Sequence, residues 1–376
     1  MSNQNNKIYL SPPHLTGEEQ KYIKEAFDTN WIAPLGSNVT NFEKDICSYT
    51  GSENCSVLAS GTAAIHLALI ILGVQENDEV ICSSFTFSAS ANPICYLKAT
   101  PVFVDSEKDT FNICPELLET TIKDRIAKGK KPKAIILVHI YGMPSKMDEI
   151  LAISKKYEIP IIEDAASALG SFYQEKAMGT FGEIGIYSFN GNKIITTSGG
   201  GALVSDTKEY TDKATFLATQ ARDNAPHYQH SQIGYNYRMS NVLAGIGRGQ
   251  MEVLNDRVKA RRENFNFYKE ALKDCKQISF NEEPKGFYSN RWLTTILTDS
   301  YQTREKLRLA LEKENIESRP MWKPMHLQPV FTNFPAYVNG VSEDLFNRGL
   351  CLPSGSNLSI DDLNRVVEGI KKVLLY

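Results

Sequence analysis

Short runs of consecutive apolar residues alternate with amphipathic stretches through the first half of the chain. Apolar runs bounded by turn residues predict strands, and apolar positions recurring every three or four residues predict helices. The predicted strands are residues 55–59, 79–83, 101–105, 134–140, 161–164, 184–189 and 201–205. The predicted helices between them include residues 63–72, 115–127 and 146–157. This alternation favours an α/β fold with a mostly parallel seven-stranded sheet.

The pattern changes in the second half of the chain. A long helical region is predicted from residue 241 to about residue 273, and shorter strands and helices follow it. A chain of 376 residues is also long for a single hydrophobic core. We therefore predict an N-terminal arm and large domain at residues 1–255 and a smaller C-terminal α+β domain at residues 256–376. The basic run at residues 257–262 is interpreted as a solvated helix face.

Composition and charge exclude several classes of protein. Lys plus Arg number 41 against 44 Asp plus Glu, so nothing indicates a nucleic-acid partner. The first seven residues are polar and lack the apolar core of a signal peptide, and no apolar run approaches the ~20 residues that cross a bilayer. The seven cysteines lack metal-ligand spacing. We expect a cytoplasmic protein with reduced thiols, without a metal and without a membrane partner.

Three segments carry residues suited to one kind of chemistry. Lys193 stands among small residues directly after a predicted strand, and Asp164 ends the strand at 161–164. Residues 60–64 follow another strand and begin a helix, whose free N–H groups and dipole suit a phosphate. Pyridoxal 5'-phosphate (PLP) needs an amine for its aldehyde, a carboxylate for its pyridine nitrogen and donors for its phosphate. The three segments together therefore predict a PLP site.

Each signal has an ordinary structural interpretation when it is taken alone. A single lysine is usually a solvated surface charge, and Asp164 could instead cap a helix N-terminus. Most strand-to-helix turns of the type at 60–64 bind nothing. The PLP interpretation depends on finding all three in an order that one sheet can gather at the carboxyl ends of its strands.

Nearly the whole chain, from about Leu10 onward, resembles a known enzyme family. The matching segments are residues 31–36, 60–64, 84–87, 139–142, 163–166, 234–238 and 319–322. On these segments the chain is identified as a member of the DegT/DnrJ/EryC1/StrS nucleotide-sugar aminotransferases. The resemblance implies PLP fold type I, similar to aspartate aminotransferase, and transaminase activity.

The resemblance also implies roles for individual residues around the cofactor. Lys193 matches the Schiff-base lysine, which acts as general acid and base. Asp164 matches the carboxylate that keeps the pyridine nitrogen protonated. Phosphate-binding positions correspond to Gly61, Thr62 and Ser188.

Three further matches complete the implied cofactor site. Phe87 stands where the family places an aromatic ring against the cofactor, and the alternative interpretation is an ordinary strand core residue. Ser167 replaces a longer polar side chain near the ring hydroxyl, which a serine would reach through a water. Asn236 matches an asparagine that reaches the phosphate from the neighbouring subunit, which implies a homodimer with shared active sites.

The implied substrates are L-glutamate and a nucleotide-linked keto-sugar, whose phosphates call for cationic side chains. The candidates are Arg319, His326 and Arg238, although an arginine beside a proline is more often structural. Residues 10–14, 198–201 and 351–355 are most similar to the UDP-N-acetylbacillosamine branch, which aminates C4 of UDP-2-acetamido-2,6-dideoxy-α-D-xylo-hexos-4-ulose. A GDP-perosamine synthase or a dTDP-sugar aminotransferase is the alternative.

Two alternatives of other kinds share this fold. One is a PLP-dependent sugar dehydratase, in which histidine replaces the lysine, and Lys193 argues against it. The other is a catalytically silent regulator. Retention of Lys193, Asp164, Ser188 and Asn236 together argues against that interpretation.

Overall fold

The computed structural model describes residues 6–375 of the chain. Its strands are β1 (Asn54–Leu58), β2 (Glu79–Ser83), β3 (Thr100–Val104), β4 (Ala134–Val138), β5 (Ile161–Asp164), β6 (Phe172–Tyr173), β7 (Lys176–Ala177), β8 (Ile184–Ser188), β9 (Gly201–Ser205), β10 (Ile278–Phe280), β11 (Phe287–Tyr288), β12 (Thr294–Thr298), β13 (Arg319–Pro320), β14 (Ala336–Tyr337) and β15 (Gly349–Leu352). Its α-helices are α1 (Glu19–Asp28), α2 (Ser37–Thr50), α3 (Gly61–Ile71), α4 (Ser88–Tyr96), α5 (Pro115–Ala127), α6 (Met147–Tyr157), α7 (Lys208–Ala218), α8 (Asn241–Met251), α9 (Leu254–Ala271), α10 (Tyr301–Lys313), α11 (Val341–Arg348) and α12 (Ile360–Leu374).

An eight-stranded sheet in the order β1-β9-β8-β5-β4-β2-β3-β14 forms the centre of the molecule. Strand β9 runs antiparallel to both of its neighbours, and the other pairs are parallel. The α/β fold predicted from the sequence is confirmed, and each of the seven predicted strands is present. The eighth strand, β14, comes from the C-terminal part of the chain, and its two residues are too few to show a periodic pattern.

Helices cover both faces of this sheet, which explains its continuous apolar strands. All five residues of β4 are buried. Ile135 and Leu137 belong to one apolar core, whereas Ala134 and Ile136 belong to another. Since successive side chains of a strand point to opposite faces, the two cores lie on opposite sides of the sheet. Because both faces of the sheet are covered by apolar cores, polar side chains lie at the ends of the strands.

A second sheet, in the order β10-β12-β15-β13, packs with α9, α10 and α12 around a core of its own. Ile8 is part of this core and pairs with Ile316, so the N-terminal segment attaches to the C-terminal sheet. The predicted domain boundary between residues 255 and 256 falls in the first turn of α9. That boundary stays a prediction.

The helical region predicted from 241 to about 273 is interrupted, since α8 ends at Met251 and α9 begins at Leu254. The prediction of a solvated basic face is wrong for Arg261, which is only 1% exposed. Its guanidinium donates to the carbonyl oxygen of Trp292 at 2.5 Å and to Ser11 Oγ at 3.0 Å. These acceptors come from distant parts of the chain, so the charge pattern of the helix alone does not indicate them.

No helix within residues 6–375 is long and apolar enough to cross a membrane.

Candidate active site

A cavity of 660 Å³ opens at the carboxyl ends of the central strands. Its wall includes the last residues of β4, β5 and β8, namely Val138, Asp164 and Ser188. The N-terminus of α3 and parts of the N-terminal segment and of the C-terminal sheet complete it. Ligands of open α/β sheets bind at this end of the strands, so the cavity is the candidate active site.

Lys193 extends into this cavity from the loop after β8. Its backbone N–H donates to the carbonyl of Asn190 at 3.0 Å, which closes a tight turn. Its Nζ donates to Ser167 Oγ at 3.0 Å and lies 4.2 Å from the centre of the Trp292 ring. Burial lowers the pKa of the Lys193 amine to about 8, and the nearby charge of Asp164 opposes that effect. At pH 7 about a tenth of the amine is therefore uncharged and able to act as a nucleophile, far more than for an ordinary lysine.

Asp164 is held rigidly at the end of β5. Its carboxylate is 6% exposed and accepts hydrogen bonds from Ser90 Oγ at 2.6 Å and from the backbone N–H of Ala166 at 3.1 Å. The hydroxyl groups of Ser90 and Thr86 are in turn 2.7 Å apart. These donors hold the carboxylate in a fixed orientation, which is what a protonated ring nitrogen needs opposite it.

The N-terminus of α3 forms the polar end of the cavity. Ser60 caps the helix, because its Oγ accepts from the N–H of Ala63 at 3.0 Å. Gly61 and Thr62 are the first helical residues, and their N–H groups have no carbonyl partner within the helix. A Cβ on Gly201 of β9 would lie 2.4 Å from the nitrogen of Gly61, so only glycine allows this approach. Together these features suit a phosphate dianion.

Aromatic rings also line the cavity. The Phe87 ring is 58% exposed and lies 5.7 Å from the ring of Trp322, centre to centre. Trp322 also packs against Tyr141 and Trp292. A large ring left open to a polar cavity is suited to stack on a planar ligand.

The structure brings most of the predicted residues into this cavity. Its wall includes Gly61, Thr62, Phe87, Asp164, Ser167, Ser188, Lys193 and Arg319. Three others lie outside the wall, and their roles stay predictions. Arg238 pairs with Glu43 at 2.6 Å, His326 Nδ1 contacts Ser84 Oγ at 2.6 Å, and Asn236 is exposed beside Thr219.

Sequence reasoning missed several residues of the site. Ser90, which contacts Asp164, lies among other serines, and nothing in the local pattern distinguishes it. Trp292, which contacts Lys193, comes from a part of the chain assigned to the smaller domain. Glu317 also lines the cavity and pairs with Arg319 at 2.9 Å. Only the folded chain brings these positions to the site.

The residues present fit PLP. An amine lies in the same cavity as a carboxylate fixed by two donors, and an aromatic ring is exposed beside them. A helix N-terminus with a glycine-enforced close approach offers a place for the phosphate. These are the groups that a pyridine aldehyde phosphate requires.

Comparison with known proteins gives the same result across the chain. The model of the DegT/DnrJ/EryC1/StrS aminotransferase family matches residues 13–371. The chain is 53% identical to the "Putative pyridoxal phosphate-dependent aminotransferase EpsN" of Bacillus subtilis (strain 168), covering 96% of this chain and 94% of the relative. It is 37% identical to a GDP-perosamine synthase of Escherichia coli O157:H7, covering 97% and 98%. The crystal structure of a DegT DnrJ EryC1 StrS aminotransferase from Brucella abortus superposes with a TM-score of 0.90, at 30% identity and 96% coverage of both chains.

Proposed function

Because the chain belongs to the DegT/DnrJ/EryC1/StrS aminotransferase family and is a PLP-dependent sugar aminotransferase, we propose that it transfers the amino group of L-glutamate to C4 of a nucleotide-linked 4-keto-6-deoxy sugar. The observation that carries the proposal is the placing of the Lys193 amine and the Asp164 carboxylate in one cavity. That pair supports transamination rather than dehydration, because the dehydratases of this fold lack the lysine.

When bound, PLP supplies an electron-withdrawing ring that accepts and returns the amino group. Lys193 would hold the cofactor through its amine and would move a proton during the reaction. Asp164 would keep the pyridine nitrogen protonated, while Gly61, Thr62 and Ser188 would hold the phosphate. The exposed Phe87 ring would pack on the cofactor and exclude water there.

The sugar nucleotide enters from the open side of the cavity, where Arg319 and Glu317 lie. The Arg319 side chain is 69% exposed, and its guanidinium is paired with Glu317. An exposed arginine can turn toward a diphosphate, which binds guanidinium in a bidentate manner. We assign Arg319 to the nucleotide phosphates on this basis.

Two nucleotide sugars are candidates for the acceptor. The similarity of residues 10–14, 198–201 and 351–355 to the UDP-N-acetylbacillosamine branch favours UDP-2-acetamido-2,6-dideoxy-α-D-xylo-hexos-4-ulose, which would give UDP-4-amino-4,6-dideoxy-N-acetyl-α-D-glucosamine. The relatives named GDP-perosamine synthase favour GDP-4-keto-6-deoxymannose as the second candidate.

A direct comparison of the two sugars tests the proposal. The purified protein with PLP and L-glutamate is incubated with each 4-keto sugar nucleotide, and the amino-sugar product is measured by mass spectrometry. We expect faster turnover with the UDP sugar, ping-pong kinetics, and no product from the Lys193→Ala variant. Faster turnover with the GDP sugar would replace the first candidate with the second, and failure to aminate either sugar would contradict both candidates.

A further inference from the structure

Trp292 contacts Lys193 in two independent ways. Its indole N–H donates to the carbonyl of Asn192, the residue before the lysine, at 2.7 Å. The face of its ring lies 4.2 Å from Lys193 Nζ. We infer that Trp292 is a positioning residue for Lys193. Its indole N–H fixes the backbone before the lysine through the carbonyl of Asn192, and its ring holds the amine in place. The inference rests on the role of Lys193 in the proposed reaction.

Trp292 is itself held from several sides. It is 2% exposed, its backbone N–H donates to Asn290 Oδ1 at 2.8 Å, and its carbonyl accepts from the Arg261 guanidinium at 2.5 Å. Its ring stacks on Tyr141 with ring centres 6.4 Å apart and planes inclined by 22°. A ring fixed in this way can define the position of a flexible lysine side chain.

The carbonyl of Asn192 accepts a second hydrogen bond, from Ser11 Oγ at 2.7 Å. The same Ser11 Oγ accepts from Arg261 at 3.0 Å. Arg261 therefore holds both donors, Trp292 through its carbonyl and Ser11 through its hydroxyl. These two hydrogen bonds explain why Arg261 is buried, which its position on α9 alone does not indicate.

The ring face matters when the lysine amine is free of the cofactor. In that state the amine is charged or neutral according to its surroundings, and the π-electrons of an indole favour the charged form. Ser167 Oγ accepts from the amine on another side at 3.0 Å. The ring and the hydroxyl together hold the amine in a fixed direction. A lysine that releases and binds the cofactor in every reaction cycle needs such a fixed direction.

Other titratable groups near the amine are few. On the cavity wall, besides Lys193 and Asp164, they are Tyr9, Glu317, Arg319 and Cys351. Glu317 and Arg319 pair with each other, and burial raises the pKa of the Cys351 thiol to about 12, so that it is neutral. Tyr141, which stacks on the Trp292 ring, is neutral because burial raises its pKa. The Arg261 guanidinium donates to the Trp292 carbonyl and to Ser11 Oγ. Asp164 and the Trp292 ring are therefore the two features that favour the ammonium form.

Two substitutions of Trp292 separate its two contacts. Trp292→Phe keeps an aromatic face and removes the N–H donor, whereas Trp292→Leu removes both. Ser11→Ala removes the other donor to the carbonyl of Asn192, and Trp31→Phe, at an exposed ring outside the cavity wall, is the control. The full-length protein is used throughout, first without cofactor and then with added PLP.

The first measurement is the pKa of the Lys193 amine in the cofactor-free chain, from the pH dependence of its labelling by an amine-selective reagent, quantified for the Lys193 peptide. We expect Trp292→Leu to lower this pKa by about 0.5 to 1.5, Trp292→Phe to lower it less, and Trp31→Phe to leave it unchanged. An unchanged pKa in Trp292→Leu would overturn the role of the ring.

The second measurement is the dissociation constant of PLP. Loss of one hydrogen bond to the carbonyl of Asn192 should weaken PLP binding about three- to tenfold in both Trp292→Phe and Ser11→Ala. If Trp292→Leu does not fold, the Phe variant still tests the hydrogen bond, and wild-type affinity in that variant overturns it. Failure of the wild-type protein to form a borohydride-reducible adduct with PLP would instead contradict the proposed function itself.

Discussion

The charge of Lys193 destabilises the cofactor-free protein, because burial disfavours an ammonium group and lowers its pKa to about 8. An unfolded lysine titrates near the model value of 10.5. Below pH 8 the amine is charged in both states, so the folded state bears the full burial penalty. Between pH 8 and 10.5 only the unfolded state keeps the proton, and the stability of the folded state therefore rises with pH.

Replacing Lys193 with methionine should remove this penalty. At pH 7 we expect Lys193→Met to raise the free energy of unfolding of the cofactor-free protein by about 1–3 kcal/mol, toward the lower end because water reaches part of the side chain. The difference in free energy of unfolding between Lys193→Met and the wild-type protein should become smaller as the pH rises from 8 to 10.5. Urea denaturation of both proteins at several pH values in this range measures that difference.

Lys259→Met, at an exposed position of α9, is the matched control and should change stability little at any pH. If the added stability of Lys193→Met stays constant from pH 7 to 10.5, the titration of the Lys193 amine is not the cause of the difference.

At the scale of elements, the site depends on how closely β9 passes the N-terminus of α3. Gly201 allows the two backbones to meet, since a Cβ there would lie 2.4 Å from the nitrogen of Gly61 and from the carbonyl carbon of Ser60. Strand β9 and helix α3 are each predictable from their own apolar patterns, but the distance between their backbones is not. That distance depends on Gly201, whose close neighbours in space, Ser60 and Gly61, lie in another part of the chain.

We expect Gly201→Ala to push the N-terminus of α3 away from β9 and to weaken PLP binding at least about tenfold, because the phosphate loses aligned N–H donors. Fluorescence or absorbance titration with PLP measures the affinity. Gly191→Ala in the lysine loop is the matched control, since its Cβ would meet its nearest neighbour at 3.9 Å, an ordinary contact. Equal affinities in the two variants would contradict this account of the phosphate site.

At the scale of the whole molecule, the loop before α8 exposes large apolar side chains to solvent. Tyr228 is 79% exposed and Ile233 is 85% exposed, and exposed apolar side chains of this size often mark a binding surface. Asn236 follows them and lies outside the wall of the cavity of its own chain. The homodimer with shared active sites, which the family resemblance implies, stays a prediction that this loop allows to be tested.

Mixing two inactive variants tests whether sites are shared. If Asn236 serves the partner subunit, a mixture of Lys193→Ala and Asn236→Ala chains, unfolded and refolded together, contains heterodimers with one intact site. Equal mixing should restore about a quarter of the wild-type activity, because half of the dimers are mixed and each has one working site.

The aminotransferase assay is the measurement, and each variant refolded alone is the control. No recovery in the mixture, with heterodimers demonstrated by size and mass, would show that each subunit completes its own site.

The sequence by itself determined seven of the eight strands of the central sheet and singled out Lys193 and Asp164 as candidate residues. Apolar periodicity is a local property, and a lysine or an aspartate directly after an apolar strand is visible in a short window. The family resemblance added the cofactor and the reaction. The strand predictions are confirmed because they depend on neighbours along the chain, whereas the roles of Lys193 and Asp164 stay predictions.

Only the tertiary structure decided which distant residues complete the site. Trp292 and Asn192 meet although they are 100 positions apart, and Arg261 is buried because its acceptors come from two other segments. Arg238, expected near the substrate, pairs with Glu43, a contact that its sequence neighbours do not indicate, and its role stays a prediction. An apolar pattern specifies which face of an element is buried, whereas its partners depend on the path of the whole chain.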